Sequence, residues 1–466
     1  MISHASPIIV LDDQRNELWS IAHGLGCCGI PVMPQLVQDG RLERPPQAPY
    51  TGIRLFFSDL HLLQGETKVE ANTSALISFL RKLVAPTTYL IVFWSNYPED
   101  AKRTWDYLTA RLNAIAPELL PFGYEVLGKD DVRAASDDDP SVAQPAVERV
   151  QASLNELLGK HPQLSALMEW EGNVSRAASV TTNELVGALK AGGISFAEQD
   201  KVRRVLSRMA QEALGVPHAP QAPARGLTQA FFPIAQECLE CDPNTDKQNA
   251  FLHIPNGETI ALPDGHIEPL LNDFFVHTER SDLQHLQRGA VIRLSEDYLA
   301  DPNGLSKDVG LTATPGNWKE VVCAEFAMNW HKKNPQDRTT IGNSVQVRNV
   351  FAIELSADCD HAQDKPRTQR FMFSIFAPSQ PEAERKYFYS SSKGMGASDA
   401  IYVTPEITID GVVGRLMISC RTFFARPHSQ HLIGDVVSRL RKEVVDEISH
   451  QYSSHMRRPG KVAFLT

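Results

Sequence analysis

From Pro7 to about Leu158, short apolar runs alternate with longer amphipathic segments, the pattern of an α/β domain built on a parallel sheet. The runs Pro7-Ile-Ile-Val-Leu11, Ile53-Arg-Leu-Phe-Phe57 and Tyr89-Leu-Ile-Val-Phe-Trp94 predict strands, and Tyr124-Glu-Val-Leu127 a weaker one. A further strand is expected near Pro31 to Leu36. Helices are predicted over Gln14 to Leu25, Ser74 to Val84 and Glu99 to Ile115. In the second helix Leu76, Phe79, Leu80 and Leu83 recur at helical spacing, so one face packs on the sheet. The sum is a five-stranded doubly wound unit over residues 1–158.

The pattern then changes. The acidic, proline-containing stretch from Asp130 to Pro145 predicts an exposed loop before a helix beginning near Val147. Helical periodicity continues to Gly215, and Ser195-Phe-Ala-Glu198 has the form of a capping box ahead of Val202, Val205, Leu206 and Met209. Residues 159–216 form a helical region, and the proline-rich 217–226 reads as a linker. From Leu227 to the end, strands with long polar connections predict an α+β output domain. Its candidate strands are Ala290–Leu294, Val321–Phe326, Asn349–Leu355, Arg370–Phe376, Ile401–Thr404 and Val412–Phe424. A closing helix over about Asp435 to Tyr452 places Val437, Leu440, Val444 and Ile448 on one face.

Composition narrows what this architecture can do. The 466 residues are 42% hydrophobic, enough for sizeable cores, with no uninterrupted apolar run near membrane-spanning length. Lys+Arg 46 against Asp+Glu 56 gives a net charge of -10, which argues against a chain devoted to coating nucleic acid. Seven cysteines, two of them the adjacent Cys27 and Cys28, do not form a disulfide framework. The first apolar stretch reads as a strand and not a signal peptide, so a cytoplasmic protein with no membrane partner is expected.

The chemistry concentrates where an open parallel sheet places its active site, at the carboxyl ends of strands. Asp12 and Asp13 end the first strand, Asp59 the phenylalanine-rich one, Ser95 the one that ends in Trp94, and Lys129 the last. Each alone is an ordinary turn, cap or solvated residue. In that order and spacing they resemble the receiver domain of two-component response regulators, over roughly residues 7 to 158. The resemblance implies a flavodoxin-like fold and a phosphoacceptor at Asp59. It also implies Mg²⁺ held by Asp12, Asp13 and Asp59, supporting roles for Ser95 and Lys129, and a sensor histidine kinase or phosphotransfer protein as partner. A homodimer is left open. The chemistry is sound: a carboxylate attacking a phosphoryl group needs concentrated positive charge against anion repulsion, and Mg²⁺ favours oxygen ligands and retained waters.

The sequence departs from the family in places. Asn96 stands where receivers carry a small residue, Asp130 and Asp131 follow Lys129 in place of the usual proline, and Val126 replaces a common aromatic, with Tyr124 nearby. His61 lies two positions after Asp59, where the family tunes phosphoryl lifetime. A receiver that signals without phosphorylation is the alternative these departures raise.

Signals in the remainder are weaker. Cys238-Leu-Glu-Cys241 is half of a zinc pattern without a second half at finger spacing, and idle thiols outweigh a metal site completed by Cys359 and His361. Asp358, Cys359, Asp360 and His361 suit metal binding or acid/base work and suit a plain polar turn better. They support a second hypothesis, an effector hydrolase or nuclease under receiver control. The Ser-x-Asp-Cys-Asp turn, Arg457-Arg-Pro-Gly460 and Trp170-Glu171 are together similar to poorly characterised bacterial proteins with a receiver-like domain, and signalling modules of phage-defence loci offer an analogy. Thr182–Ala191, Gly192-Gly193 and the helix from Ser195 could form a helix-turn-helix with Lys201, Arg203, Arg204 and Arg208 on phosphates. A DNA-binding regulator is the third hypothesis, against which the acidic background weighs. Ser390 to Gly396 lacks the order of a phosphate-binding P-loop and reads as a loop.

Overall fold

The computed structural model describes residues 8–27, 29–95, 97–129, 140–216, 219–241, 259–263, 267–278, 287–301, 305, 318–327, 332–356, 368–379, 388, 400–427 and 433–456. Asn96, Asp130–Asp139, Asp358–His361, Ser390–Gly396 and Arg457–Gly460 lie outside them. Two compact units emerge, Met1–Leu206 with Leu227–Gly257 and Ser207–Gly226 with Glu258–Thr466. No helix among the described residues is long and apolar enough to cross a membrane.

In the first unit the strands are β1 (Ile8–Asp12), β2 (Val32–Gln38), β3 (Arg41–Leu42), β4 (Leu55–Ser58), β5 (Leu90–Trp94) and β6 (Gly123–Leu127). They form one sheet in the order β3-β2-β1-β4-β5-β6. All neighbours are parallel except the β2–β3 hairpin. Without β3 the order of the five parallel strands is 2-1-3-4-5, that of flavodoxin-like doubly wound sheets. The strands are continuous apolar runs because both faces are covered. Ile8, Val10, Leu55 and Phe57 pack with α1 (Arg15–Cys27) and the helix α4 (Pro140–Lys160) through Leu18, Ile21, Val150 and Leu154. Ile9, Leu11, Phe56 and Phe93 pack with α2 (Val69–Leu83) and α3 (Ala101–Ile115) through Leu76, Phe79, Leu80 and Leu108.

The sheet has a sixth strand where five were expected. Asp39 and Gly40, at φ 48° and 70°, make the two-residue turn that folds β3 back on β2, a conformation aspartate and glycine tolerate. The connection from β3 to β4 contains no helix; it is an irregular strap pinned at Tyr50, whose N–H donates to the Leu83 carbonyl at 2.8 Å and whose carbonyl accepts from Ala85 at 2.9 Å.

Beyond the sheet, α5 (Pro162–Ala191) runs for 30 residues. Its Glu171 holds Arg54, which also reaches Thr87 Oγ1 at 2.8 Å. This ion pair accounts for Glu171 as a packing residue. The expected helix near Val147 begins earlier, at Pro140, and the expected linker is partly helical: α6 (Gln199–Leu214) is followed by α7 (Pro223–Glu240), with proline at its first position, where no amide hydrogen is required.

The second unit is β-rich. An antiparallel, eight-stranded sheet comprises β7 (His277–Thr278), β8 (Ala290–Leu294), β9 (Val350–Glu354), β10 (Thr368–Pro378), β11 (Ile401–Val403), β12 (Ile407–Ile409), β13 (Val412–Pro427) and β14 (Gly434–Leu440). Its order is β11-β13-β10-β9-β8-β14-β7, with β12 also on β13. The helix α8 (Ile267–Val276) leads into β7, and the short α9 (Glu296–Ala300) follows β8. One face is packed by α10 (Trp318–Phe326) and α11 (Pro335–Ser344), the other by α12 (Lys442–Met456) through Val445 and Ile448.

Two expectations fail in this unit. Val321–Phe326 is helix: Val321, Val322, Cys323 and Phe326 are all buried, and an element so widely buried loses the polar stripe that marks helical periodicity. The closing helix begins only at Lys442, because Asp435–Leu440 belongs to β14, paired with β8 in the register Val436↔Ile292 and Arg439↔Ala290.

Candidate functional site

The carboxyl ends of β1, β4, β5 and β6 converge, and Asp12, Asp59, Ser95 and Lys129 are all buried there, with Asp13 half-buried. Asp12 ends β1, in parallel register with Leu36 of β2, and Asp13 follows it directly. Asp12 also retains the bland role of its type: its Oδ1 accepts the Gln14 N–H at 2.7 Å at the start of α1. Asp59 Oδ1 accepts the N–H of Leu60 at 2.6 Å, which fixes the carboxylate on its loop. The buried Asn72 of α2 locks that loop, accepting from Leu63 N–H at 2.9 Å and donating to the Glu66 carbonyl at 3.0 Å.

One ammonium serves the cluster. Lys129 Nζ lies 2.8 Å from Asp59 Oδ2 and 3.3 Å from Asp12 Oδ2, and 4.6 Å from the ring centre of Trp94. One oxygen from each of Asp12, Asp13 and Asp59 can be chosen within 4.8 Å of the others, which among the described residues is the only such set of three metal-ligating side chains. Asp13 Oδ1 is buried without a hydrogen-bond partner, an orphan acceptor of the kind that a cation satisfies. Three carboxylates, one of them with an unused oxygen, fit a hard divalent cation, so the trio could hold a metal ion.

The electrostatics record the imbalance. Burial pushes the Asp12 carboxyl up to about 7, opposed by Lys129 and reinforced by Asp59. Burial, then the Asp59 charge, also raises Asp13. For Lys129 burial works against the ammonium, yet the Asp59 and Asp12 charges together outweigh it and hold the group above the usual lysine range. Three acids crowd one cation, and a second positive charge at the site would relieve them.

Ser95 Oγ accepts the Tyr97 N–H at 3.1 Å, so this side chain shapes the loop after β5 while staying at the strand end beside the cluster. His61 faces Tyr97 edge-on at 5.2 Å between ring centres and lies 3.5 Å from Asp100 Oδ2. Tyr124 stacks on Trp105 at 5.0 Å and thereby belongs to packing. The residue that the sequence left unread is Trp94, whose ring backs Lys129; its signal was its place immediately before Ser95.

Among the described residues, the remaining candidates do not assemble into a site. Cys238 sits in α7, where the Thr181 hydroxyl approaches its sulfur at 4.0 Å, and Cys241 follows the helix as an exposed free thiol. Thr182–Ala191 is the end of the long α5. Three of the four expected cations, Lys201, Arg203 and Arg208, pair with Glu198, Asp200 and Glu212 three or four residues away, which neutralises most of that face locally and leaves Arg204 as the one cation of the set outside these pairs. The box is half closed: Glu198 Oε2 accepts the Ser195 N–H at 2.9 Å, while Ser195 Oγ takes Ala197 N–H at 3.3 Å.

The first unit is thus receiver-like in its β1-α1-β2 start, its parallel sheet and its aspartate cluster. No family model, curated protein or solved structure matches the chain.

Proposed function

We propose that the first unit is a phosphoacceptor switch that receives a phosphoryl group on Asp59 from a histidine kinase or phosphotransfer protein in the cytoplasm, and that the β-rich unit is the output it controls. The observation that carries this reading is Lys129 Nζ bridging Asp59 and Asp12 beside a third, unsatisfied carboxylate. Asp59 Oδ2 exchanges its contact with Lys129 for a bond to phosphorus while Oδ1 stays on the Leu60 N–H; the bond from phosphorus to the donor atom breaks, and the donor leaves with that electron pair. Lys129 sits where it can neutralise a phosphoryl oxygen, and the Ser95 hydroxyl lies at the neighbouring strand end to hydrogen-bond another. Mg²⁺ held by Asp12, Asp13 and Asp59 would supply the remaining positive charge. Loading the site redistributes charge around Lys129 and Ser95, and the loop after β5 is the element best placed to relay it.

The test is incubation of the full chain with acetyl phosphate and Mg²⁺, read by intact mass. One added phosphoryl is expected, absent in Asp59→Asn. A chain that stays unlabelled while a control receiver is labelled overturns the reading in favour of a switch that works without phosphorylation.

A further inference from the structure

At the far end of the same sheet lies a second feature that the phosphoacceptor reading does not use. From Ser74 onward α2 borders, with the C-terminal half of α3, an open groove-like cavity of about 450 Å³ lined by the buried Ile77 and the exposed Ser74, Ser78, Arg81, Lys82, Arg111 and Ile115. Both helices start near the carboxyl ends of the strands and return toward their amino ends, so this cavity is remote from Asp59. Three of the seven lining residues are cations and none is an acid.

The pairing pattern singles these cations out. Elsewhere on the same two helices Arg103 is matched by Glu70 at 2.5 Å and Lys102 by Asp106 at 2.7 Å. Arg81, Lys82 and Arg111 have no ion-pair partner among the described residues, in a chain whose net charge is -10. Arg81 and Lys82 lie in the last turn of α2, where the helix dipole favours cations. Arg111 lies before the last turn of α3, beyond what the dipole explains. Between the cations the surface is apolar: Ile77 is buried and Ile115 is half-exposed.

We propose that this cavity binds a small phosphorylated ligand of the nucleoside polyphosphate class. Its volume falls within the range of small-molecule sites. Two guanidinium groups and an ammonium supply the charge-assisted donors that adjacent phosphates require. The Ser74 hydroxyl, which donates to the Glu70 carbonyl at 2.7 Å, keeps its lone pairs to accept from a sugar hydroxyl, and the half-exposed Ile115 offers an apolar seat for the base.

The experiment is binding of a fluorescent ATP analogue to the full chain in EDTA, followed by anisotropy and competed with unlabelled ATP, tripolyphosphate, adenosine and a 12-nucleotide single strand. ATP should compete best. Arg81→Glu and Arg111→Glu should each weaken binding by about tenfold, with Arg111→Gln intermediate. Lys102→Glu, on α3 outside the cavity, and Asp59→Asn should leave it unchanged, and circular dichroism checks that each variant is folded. Persistence in Asp59→Asn separates this site from the acidic trio, so either assignment can fail without the other. No binding, equal competition by tripolyphosphate and ATP, indifference to both arginine reversals, or tighter binding of the oligonucleotide through the same residues would each overturn the proposal.

Discussion

Each unit contains a buried carboxylate network, and the two are built to opposite specifications. In the β-rich unit, Glu325 of α10 accepts from the Ser419 hydroxyl and from Arg421 Nε at 3.2 Å, while Arg421 also donates to the Glu325 carbonyl at 3.0 Å. Ser419 Oγ in turn accepts the N–H groups of Arg421 and Thr422 at 3.1 and 2.9 Å. These contacts pin a bulge in β13, where the register against β10 jumps from Ser374↔Ile418 to Met372↔Phe423. One acid meets one base, and neither Glu325 nor Ser419 has a side-chain oxygen buried without a partner. In the first unit three acids share Lys129, and Asp13 Oδ1 has no partner. A closed network holds a backbone irregularity in place; an open one carries a charge imbalance that costs stability, as functional sites commonly do.

The sharpest way to break this contrast is to remove the single cation. Lys129→Met leaves two buried carboxylates without their counter-charge and should cost about 3–5 kcal/mol in urea unfolding without divalent ions; a loss much below that would mean the acids were never dependent on it. The matching cut in the closed network is milder. Glu325→Ala strands the Ser419 hydroxyl but leaves Arg421, 42% exposed at its side chain, within reach of water, so about 1–3 kcal/mol is expected by the same measurement.

The smallest effect carries the opposite sign. Asp13→Asn should make the metal-free protein more stable by about 0.5–2 kcal/mol, because it removes a charge that burial disfavours and Asp59 repels. Asp12 and Asp13 both hold protons more tightly when folded than when unfolded, so protonation favours the fold. For Asp12 that contribution is full below the unfolded value near 4 and is lost as pH rises toward about 7. The advantage of Asp13→Asn should accordingly be larger at pH 8 than at pH 5 and disappear when a divalent cation is added. Melting temperatures across that range check the sign; an asparagine variant less stable at pH 8 would place this acid in the closed class.

The candidate site was legible because each of its residues terminates an apolar run, and strand ends of a parallel sheet meet by topology. Strands β1, β4, β5 and β6 therefore carried their chemistry in one dimension. The misread elements depend on distant partners. Val436 and Val437 form a strand because β8, far upstream, offers an edge to pair with, while the spacing of Leu440, Val444 and Ile448 imitates one continuous helix. Other signals were local and readable: Asp39-Gly40, and Asp410-Gly411 between β12 and β13, both at positive φ, are two-residue hairpin signatures. Whether an acid is paired, as Glu325 is, or left open, as Asp13 is, has no one-dimensional signature at all.

The position of Lys129 against Trp94 has an optical consequence. Of the chain's six tryptophans, Trp94 is fully buried, whereas Trp19 and Trp170 are largely exposed. An indole with an ammonium over its ring emits according to where that charge lies, so any event that draws Lys129 toward or away from Asp59 becomes a change in intrinsic fluorescence. Titrating cations or phosphoryl donors into the unlabelled chain would report on the heart of the sheet without a probe attached.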